Sequence, residues 1–284
     1  MNKWILGARL RTLPAAIAPV AVATALAGDN ASPIPAVLAL FVALSLQVGV
    51  NYANDYSDGI RGTDNDRVGP VRLTASGLAS AKAVKSAAFI AFALAAIAGF
   101  ALAAMTSWWL IAIGTSAILA AWGYTGGKNP YGYLGLGEFF VFIFFGVVAT
   151  VGTYFVQTEE ITVDAILLSI PMGTFSCALL TINNIRDRAP DALAGKKTLA
   201  VRLGDRKARY LFTLLITSGY IATLALLNPW TLVTLATIPM AITLVGGVLD
   251  KAEGRELIPY LAKTGKLQLQ FSILLSLALL LSHG

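Results

Sequence analysis

Four aspartates form the first group of side chains in this sequence whose types and spacing suit metal chemistry. Asp55, Asp58, Asp64 and Asp66 fall within twelve positions, directly after a long apolar run. Carboxylates this close together repel one another strongly wherever the dielectric constant is low. A divalent cation relieves that repulsion, and Mg2+ prefers carboxylate oxygens while it keeps other coordination positions for water or phosphate. The cluster therefore predicts a Mg2+ site, with a solvated acidic loop as the alternative.

A second polar cluster also follows an apolar run and has the same internal spacing. Asn183 and Asp187 are four residues apart, as are Asn54 and Asp58, and Asp191 follows after another four. Residues four apart share one face of a helix, so each cluster presents its polar side chains together at a helix end. We interpret the two clusters as two halves of one site. The predicted metal ligands are Asp55, Asp58, Asp64, Asp66, Asp187 and Asp191, and the predicted catalytic residues are Asn54, Asp58, Asn183, Asp187 and Asp191.

Basic side chains near these clusters are candidates to bind a diphosphate held by Mg2+. Arginine binds phosphate oxygens through two parallel hydrogen bonds, whereas lysine acts as a compact point charge. Tyr124 and Lys128 end another apolar run and add a third polar element, for which a simple position at a membrane interface is the alternative. The predicted diphosphate-binding residues are Arg67, Arg72, Tyr124, Lys128, Arg186, Lys196 and Lys197.

The composition excludes an ordinary soluble enzyme. Hydrophobic residues make up 57% of the 284 positions and charged residues 13%, whereas ordinary globular chains carry roughly 25% charged residues. The net charge of +6 does not indicate nucleic-acid binding, because the basic residues flank apolar runs of membrane-spanning length. The single cysteine, Cys177, excludes a disulfide within the chain, and the single histidine, His283, makes histidine-based chemistry a poor explanation. The sequence therefore predicts an all-α, polytopic membrane protein.

Nine membrane-spanning helices are predicted, because about 20 apolar residues cross a hydrocarbon core. They cover residues 12–28, 34–53, 84–104, 107–124, 135–156, 162–182, 208–227, 230–249 and 267–283. We expect a single domain over residues 1–284, built from two four-helix halves (1–134 and 135–249) and the ninth helix. A cleaved signal peptide is the alternative explanation of the first span, but the two prolines within that span argue against it.

The distribution of charge predicts the orientation. All 21 Lys and Arg residues lie at the N-terminus or in alternate loops on one side of the predicted bundle. The opposite loops carry only acidic charges, at Asp29, Glu159, Glu160 and Asp164. Basic loops stay in the cytoplasm, so the N-terminus and both aspartate clusters are expected there and the C-terminus outside. The expected location is the plasma or inner membrane, with the lipid bilayer as a partner.

The three polar elements together resemble the motifs of the UbiA-type intramembrane prenyltransferases. The matching residues are Asn54-Asp55-x-x-Asp58, Tyr124-x3-Lys128 and Asn183-x3-Asp187-x3-Asp191, and the resemblance covers the whole chain. It implies nine helices around a central apolar cavity, Mg2+ as cofactor and a polyprenyl diphosphate as substrate. The sequence departs from the family pattern where Gly62 and Thr63 displace the next aspartate, which leaves open whether Asp64 or Asp66 fills that ligand position.

Other segments resemble the MenA branch of that family, which prenylates 1,4-dihydroxy-2-naphthoate. They are Arg-Thr-Leu-Pro-Ala at 11–15, Gly62-Thr-Asp64, Asp66-Arg67-x-Gly69-Pro70 and residues 197–204. The resemblance implies that Mg2+ and the basic residues stabilise the departing diphosphate while the allylic chain alkylates the ring with loss of the carboxylate. It also implies a role in menaquinone biosynthesis, an acceptor-binding role for Arg11 and an active site that faces the cytoplasm.

Three other functions remain as alternatives. The first is prenyl transfer to another aromatic acceptor such as 4-hydroxybenzoate. The second is a CDP-alcohol phosphotransferase, whose motif Asp58-Gly59-Ile60-Arg61 matches only in part. The third is an ion-coupled membrane transporter, but its acidic residues are expected at mid-membrane rather than at the ends of spans.

Overall fold

The computed structural model describes residues 2–63, 69, 71–250 and 252–283. Three of the predicted binding residues, Asp64, Asp66 and Arg67, lie outside the described residues. The described part of the chain is helical and contains no strand, which confirms the predicted fold class there. Its α-helices are α1 (Lys3–Ala8), α2 (Pro14–Ala27), α3 (Pro33–Ile60), α4 (Ala81–Met105), α5 (Leu110–Gly123), α6 (Gly137–Thr158, π-helical over Phe142–Val148), α7 (Val163–Arg186), α8 (Arg188–Leu193), α9 (Leu199–Leu224), α10 (Ile238–Leu249, after a 3-10 turn at Pro229–Thr237) and α11 (Leu257–His283).

Six helical segments among the described residues are long and apolar enough to cross a membrane. They are Pro33–Ile60, Ala81–Met105, Gly137–Thr158, Val163–Arg186, Pro229–Leu249 and Gly254–Ser282. The first predicted span, 12–28, coincides with the second member of a bent pair, Lys3–Thr12 and Pro14–Asn30, which meet at 54° and would make a seventh span if they form one. Helices also cover the two remaining predicted spans, but α5 has only 14 residues and α9 begins with a charged segment. The nine-span count, the orientation and the two four-helix halves stay predictions.

Side-chain caps begin several of these helices where the sequence changes from polar to apolar. The Ser80 hydroxyl accepts a hydrogen bond from the backbone N–H of Ala83 at the start of α4. The Thr162 and Thr198 hydroxyls do the same for the first turns of α7 and α9. Each cap satisfies one of the backbone donors that a helix start leaves without an intrahelical partner.

A close contact between α6 and α7 depends on two glycines. A Cβ on Gly146 would lie 2.7 Å from the Cα of Gly173, a distance that real Cβ atoms do not reach. A Cβ on Gly173 would in turn lie 2.7 Å from the Phe142 ring. Small residues allow helix backbones to approach directly inside a membrane, where packing rather than water drives association. This contact fixes α6, with its wide π-helical turn, against the helix that ends in the second polar cluster.

A central cavity of about 860 Å³ separates two packed regions of the bundle. One region joins α2, α7, α9, α10 and α11, where the Phe175 and Phe271 rings pack edge to face with centroids 4.8 Å apart. The other joins α1, α3 and α4 around Tyr52, Leu73 and Phe92. On α3 the cavity wall extends from Ala39 to Asp58, which is about 28 Å at 1.5 Å per residue. The cavity is therefore almost as long as a membrane's hydrocarbon core is thick.

Candidate active site

The polar clusters of α3 and α7 meet at one end of the central cavity. Asn54, Asp58, Asn183, Asp187 and Asp191 all line it, so the structure brings together the five predicted catalytic residues. Both helices are apolar through most of their length and become rich in polar residues towards their C-terminal ends. Their register therefore decides which side chains face the cavity, and the four-residue spacing keeps the amide and the carboxylate on the same face.

Asp58 is held by two different partners. Its Oδ1 accepts a 2.6 Å hydrogen bond from the Tyr133 hydroxyl, and its Oδ2 lies 3.1 Å from the Lys196 ammonium. The Asp58 side chain is only 5% exposed, so water screens these interactions little. Burial, and next the neighbouring Asp58 charge, raise the pKa of Tyr133, so its phenol keeps the proton that it donates.

Lys196 lies between two aspartates from different parts of the chain. Its Nζ is 3.1 Å from Asp58 and 3.8 Å from Oδ1 of Asp191. The Lys196 N–H donates to the Asp191 carbonyl at 2.8 Å, and Gly195 within the turn so closed has φ +74°, a conformation that glycine adopts without strain. The turn after α8 thus carries a cation into the aspartate site.

Arg186 and Asp187 form a buried pair at the end of α7. The guanidinium donates from Nε to Oδ1 at 2.8 Å and from Nη2 to Oδ2 at 2.6 Å, which is a two-bond geometry. Both residues line the cavity and both are buried. Beside them, the Asn184 amide donates to Glu138 Oε1 at 3.1 Å, which connects α7 to the start of α6. Arg186, one of the three predicted diphosphate-binding arginines, is therefore paired with a predicted metal ligand.

Asp55 takes a different position from its neighbours and does not line the cavity. Its carboxylate is fully buried and accepts the backbone N–H groups of Leu73 and Thr74, each at 2.9 Å. Asp55 is three residues from Asp58, a spacing that shares a helix face, so these two backbone donors rather than the helix register turn its carboxylate away from the cavity. The structure thus places this predicted metal ligand against the loop that follows α3.

The remaining predicted binding residues divide into two groups. Arg72 and Tyr124 line the cavity, and Arg11 does so near α1. Lys128 and Lys197 are exposed and do not line it. The loop after α5 reaches the site through Thr125, whose hydroxyl donates to the Asn54 side-chain oxygen at 2.8 Å.

The polar face of α3 extends further towards its N-terminus than the predicted residues Asn54 and Asp58. Gln47 and Asn51 line the cavity on the same face as Asn54 and Asp58. The Gln47 and Asn51 amides both donate to the Thr12 hydroxyl, at 2.9 and 3.1 Å. Spacings of three and four residues in an apolar helix are the signal that identifies this face. Neither Tyr133 nor Arg61, which lies over the Tyr133 ring, was predicted, because neither has a comparable spacing signal.

The donor set at this end of the cavity suits a hard cation. No group of three acidic, histidine or cysteine side chains among the described residues forms a complete metal site. Asp58, Asp187 and Asp191 nevertheless offer carboxylate oxygens to one cavity, and a positive charge, the Lys196 ammonium, already lies between two of them. Mg2+ commonly takes one or two carboxylates and completes its shell with phosphate oxygens and water. The residues therefore fit Mg2+ bound together with a phosphate group.

Comparisons with known proteins agree with this architecture. Two relatives are called 1,4-dihydroxy-2-naphthoate octaprenyltransferase: that of Mycobacterium tuberculosis is 47% identical and that of Escherichia coli 35%. The alignments cover 98% and 99% of this chain, and 96% of each relative. The fold is similar to that of a UbiA homolog from Archaeoglobus fulgidus bound to GPP and Mg2+, with a TM-score of 0.65, 16% identity and coverage of 98% and 99% of the two chains. An apo UbiA homolog from Aeropyrum pernix K1 gives a TM-score of 0.67 at 15% identity, with 96% and 98% covered. The model of the UbiA prenyltransferase family matches residues 16–281, and the chain belongs to that family.

Proposed function

We propose that this protein transfers a polyprenyl group from polyprenyl diphosphate to 1,4-dihydroxy-2-naphthoate, a step of menaquinone biosynthesis. The observation that carries the proposal is a membrane-deep cavity with apolar walls and one charged end, at which Asp58, Asp187, Asp191 and Lys196 meet. Such a cavity suits a substrate with a charged head and a long apolar tail. The names of the relatives supply the acceptor class.

The diphosphate is assigned to the charged end. Asp58, Asp187 and Asp191 would hold Mg2+, which neutralises charge on the departing diphosphate when it is bound. Lys196 and Arg186 are then in place to bind further phosphate oxygens, because each already lies beside one of those carboxylates. The bond between the prenyl carbon and the diphosphate oxygen breaks here, and a carbon–carbon bond to the ring forms as carbon dioxide leaves the acceptor.

The prenyl tail is assigned to the apolar part of the cavity. Phe140, Phe144 and Phe145 of α6 line it, whereas Phe139 does not and is 61% exposed. The allylic cation that forms as diphosphate leaves reacts readily with water. Apolar aromatic walls exclude water and thereby direct the cation to the acceptor ring.

The acceptor is assigned to the region near α1. Arg11 and Arg9 both line the cavity there, and Arg9 donates to the Asn51 carbonyl at 3.3 Å. Arginine is suited to the carboxylate of 1,4-dihydroxy-2-naphthoate because its planar donors match two carboxylate oxygens.

We assign Asp55 an anchoring role, since its carboxylate holds the loop that carries Arg72.

The distribution of basic residues supports a location and an orientation in the membrane. The chain is a multi-pass membrane protein of the family, and we place its charged end at the cytoplasmic face of the plasma or inner membrane because every basic residue lies on that predicted side. Both substrates then reach the cavity without crossing the bilayer.

The decisive experiment is a product assay with paired acceptors. Membranes containing the full chain receive a polyprenyl diphosphate, Mg2+ and either carboxyl-labelled 1,4-dihydroxy-2-naphthoate or 4-hydroxybenzoate, and products are identified by mass spectrometry. We expect prenylated naphthoquinol and release of labelled carbon dioxide. A higher kcat/KM with 4-hydroxybenzoate would assign the acceptor to the alternative branch. Solute uptake by proteoliposomes without any prenyl transfer would instead favour the transporter.

A further inference from the structure

Tyr133 lies outside the three motifs, yet it contacts both an aspartate and a lysine of the proposed diphosphate site, Asp58 and Lys196. It belongs to the short turn Tyr131–Leu134 between α5 and α6. The turn is held from two sides, because the Tyr133 carbonyl accepts the Lys197 N–H at 2.9 Å and the Gly132 N–H donates to the Tyr124 carbonyl at 3.0 Å. The backbone that carries the Tyr133 ring is therefore fixed relative to α5 and to the segment after α8.

The hydroxyl of Tyr133 orients the Asp58 carboxylate. Its hydrogen bond to Oδ1 is 2.6 Å long, within the range of a hydroxyl that donates to an ionised carboxylate. The other oxygen, Oδ2, is then left beside the Lys196 ammonium at 3.1 Å. Without this bond, only the contact of Oδ2 with Lys196 would restrain the Asp58 carboxylate about its last torsion, which is a soft one.

The ring of Tyr133 holds cations at the same place. Lys196 Nζ lies 4.9 Å from the ring centroid, and Arg61 Cζ lies 5.5 Å from it. Both distances are within the roughly 6 Å at which the ring quadrupole attracts a cation. Arg61 is itself anchored, since it donates to the carbonyls of Thr125 and Gly127. A flexible lysine side chain is thus kept beside Asp58 instead of being free to swing away.

We propose that Tyr133 is a positioning residue of the diphosphate site, whose hydroxyl orders Asp58 for cation binding and whose ring holds Lys196 for the phosphate. The inference rests on the proposed function for the identity of the ligand. It assigns two separable roles to one side chain, and two substitutions separate them. Tyr133→Phe keeps the ring and removes the hydroxyl, whereas Tyr133→Leu removes both.

The first measurement is cation binding, which needs no turnover. Purified full-length protein in detergent is titrated with Mn2+ in the presence of inorganic pyrophosphate, and free Mn2+ is followed by electron paramagnetic resonance. Loss of a group that orients a metal ligand typically costs about 10–100-fold in metal affinity, and we expect Tyr133→Phe to weaken Mn2+ binding within that range. Tyr131→Phe is the matched control, because Tyr131 belongs to the same turn, lines the same cavity and stacks on Phe140 at 4.0 Å. It should bind Mn2+ as the wild type does.

The second measurement divides the kinetic effect between the two roles. Tyr133→Phe should raise the Mg2+ concentration needed for half-maximal rate and leave the KM for prenyl diphosphate nearly unchanged at saturating Mg2+. Tyr133→Leu should also raise that KM, because Lys196 loses the ring. A merely structural role would lower the amount of folded protein without this split. If the leucine variant is lost from the membrane, the phenylalanine variant decides alone, since it preserves the shape of the ring.

The outcomes distinguish this inference from the proposed function. Unchanged Mn2+ binding and unchanged Mg2+ dependence in Tyr133→Phe would overturn the positioning role, even if wild-type membranes prenylate the naphthoate. Weakened Mn2+ binding in that variant, with no prenyl transfer by the wild type to any acceptor, would support the positioning role and refute the reaction.

Discussion

Replacement of Asp58 or Asp187 by asparagine tests the centre of the proposed chemistry. Each substitution keeps the size of the side chain and removes one negative charge from the charged end of the cavity. Asp58 lies 3.1 Å from Lys196, and Asp187 accepts two hydrogen bonds from Arg186 at 2.8 and 2.6 Å. Both aspartates are buried, so a lost charge is not replaced by water.

The separation of these charges sets the expected magnitude. Two unit charges 3.1 Å apart interact by about 5 kcal/mol at an effective dielectric constant of about 20. Removal of one partner of a buried pair costs about 3–5 kcal/mol in measured cases. If about 3 kcal/mol of this stabilisation is missing when diphosphate departs, kcat falls about a hundredfold, because each 1.4 kcal/mol is about tenfold in rate. The double variant should lose less than the product of the single effects, since either loss disables the same unit.

The assay compares initial rates of prenyl transfer at saturating Mg2+ in membranes that contain equal amounts of each variant. Asp164→Asn is the control, because Asp164 is exposed in the first turn of α7, at the opposite end of the helix from Asn183. Its rate should match the wild type. Rates within about threefold of wild type for both Asp58→Asn and Asp187→Asn would refute the paired-aspartate mechanism, since that change corresponds to less than about 1 kcal/mol.

Two further predictions concern the topology and the tail. A cysteine placed at the exposed Ala194 should react with a membrane-impermeant thiol reagent only from the cytoplasm. The native Cys177 is buried and should not react. Labelling of residue 194 from outside would show that the orientation is the reverse. Gly114 lines the cavity with nothing within 4 Å of an added Cβ, so Gly114→Leu should lower kcat/KM for a long prenyl donor relative to geranyl diphosphate by about tenfold or more. Gly246 is equally open but lies on α10 outside the cavity, so Gly246→Leu should leave that ratio unchanged, and equal ratios in both variants would contradict a tail at Gly114.

The helices could be predicted from the sequence because apolar run length is a local property. Six of the predicted spans coincide with described helices that are long and apolar enough to cross a membrane. The first predicted span, 12–28, agrees with α2, but the preceding α1 was not predicted; the left-handed Arg9 at φ +53° and Pro14 separate it from α2. The short length of α5 was not predicted either. Trp108 and Trp109 continue the apolar run, but they lie in a turn before the first residue of the helix, Leu110.

The two aspartate faces could likewise be predicted, because four-residue spacing is a property of one helix. The prediction that both faces belong to one site agrees with the shared cavity of Asp58 and Asp187. The assignment of Asp55 as a ligand treated every carboxylate of the cluster alike. The direction of Asp55 was decided by backbone donors at Leu73 and Thr74, which are distant in sequence.

The sequence by itself thus determined the membrane-spanning helical class, the register of Asn54 with Asp58 and of Asn183 with Asp187, and the family resemblance that the whole-chain comparison bears out. These depend on composition and on periodicity within one helix, which need no knowledge of neighbours. Only the tertiary structure decided which partner each charge has. Tyr133 reaches Asp58 from a turn 75 residues away, and Lys196 reaches it from beyond α8. Such pairings depend on how the helices pack, because contacts between distant segments follow from packing geometry and leave no periodic trace in the chain.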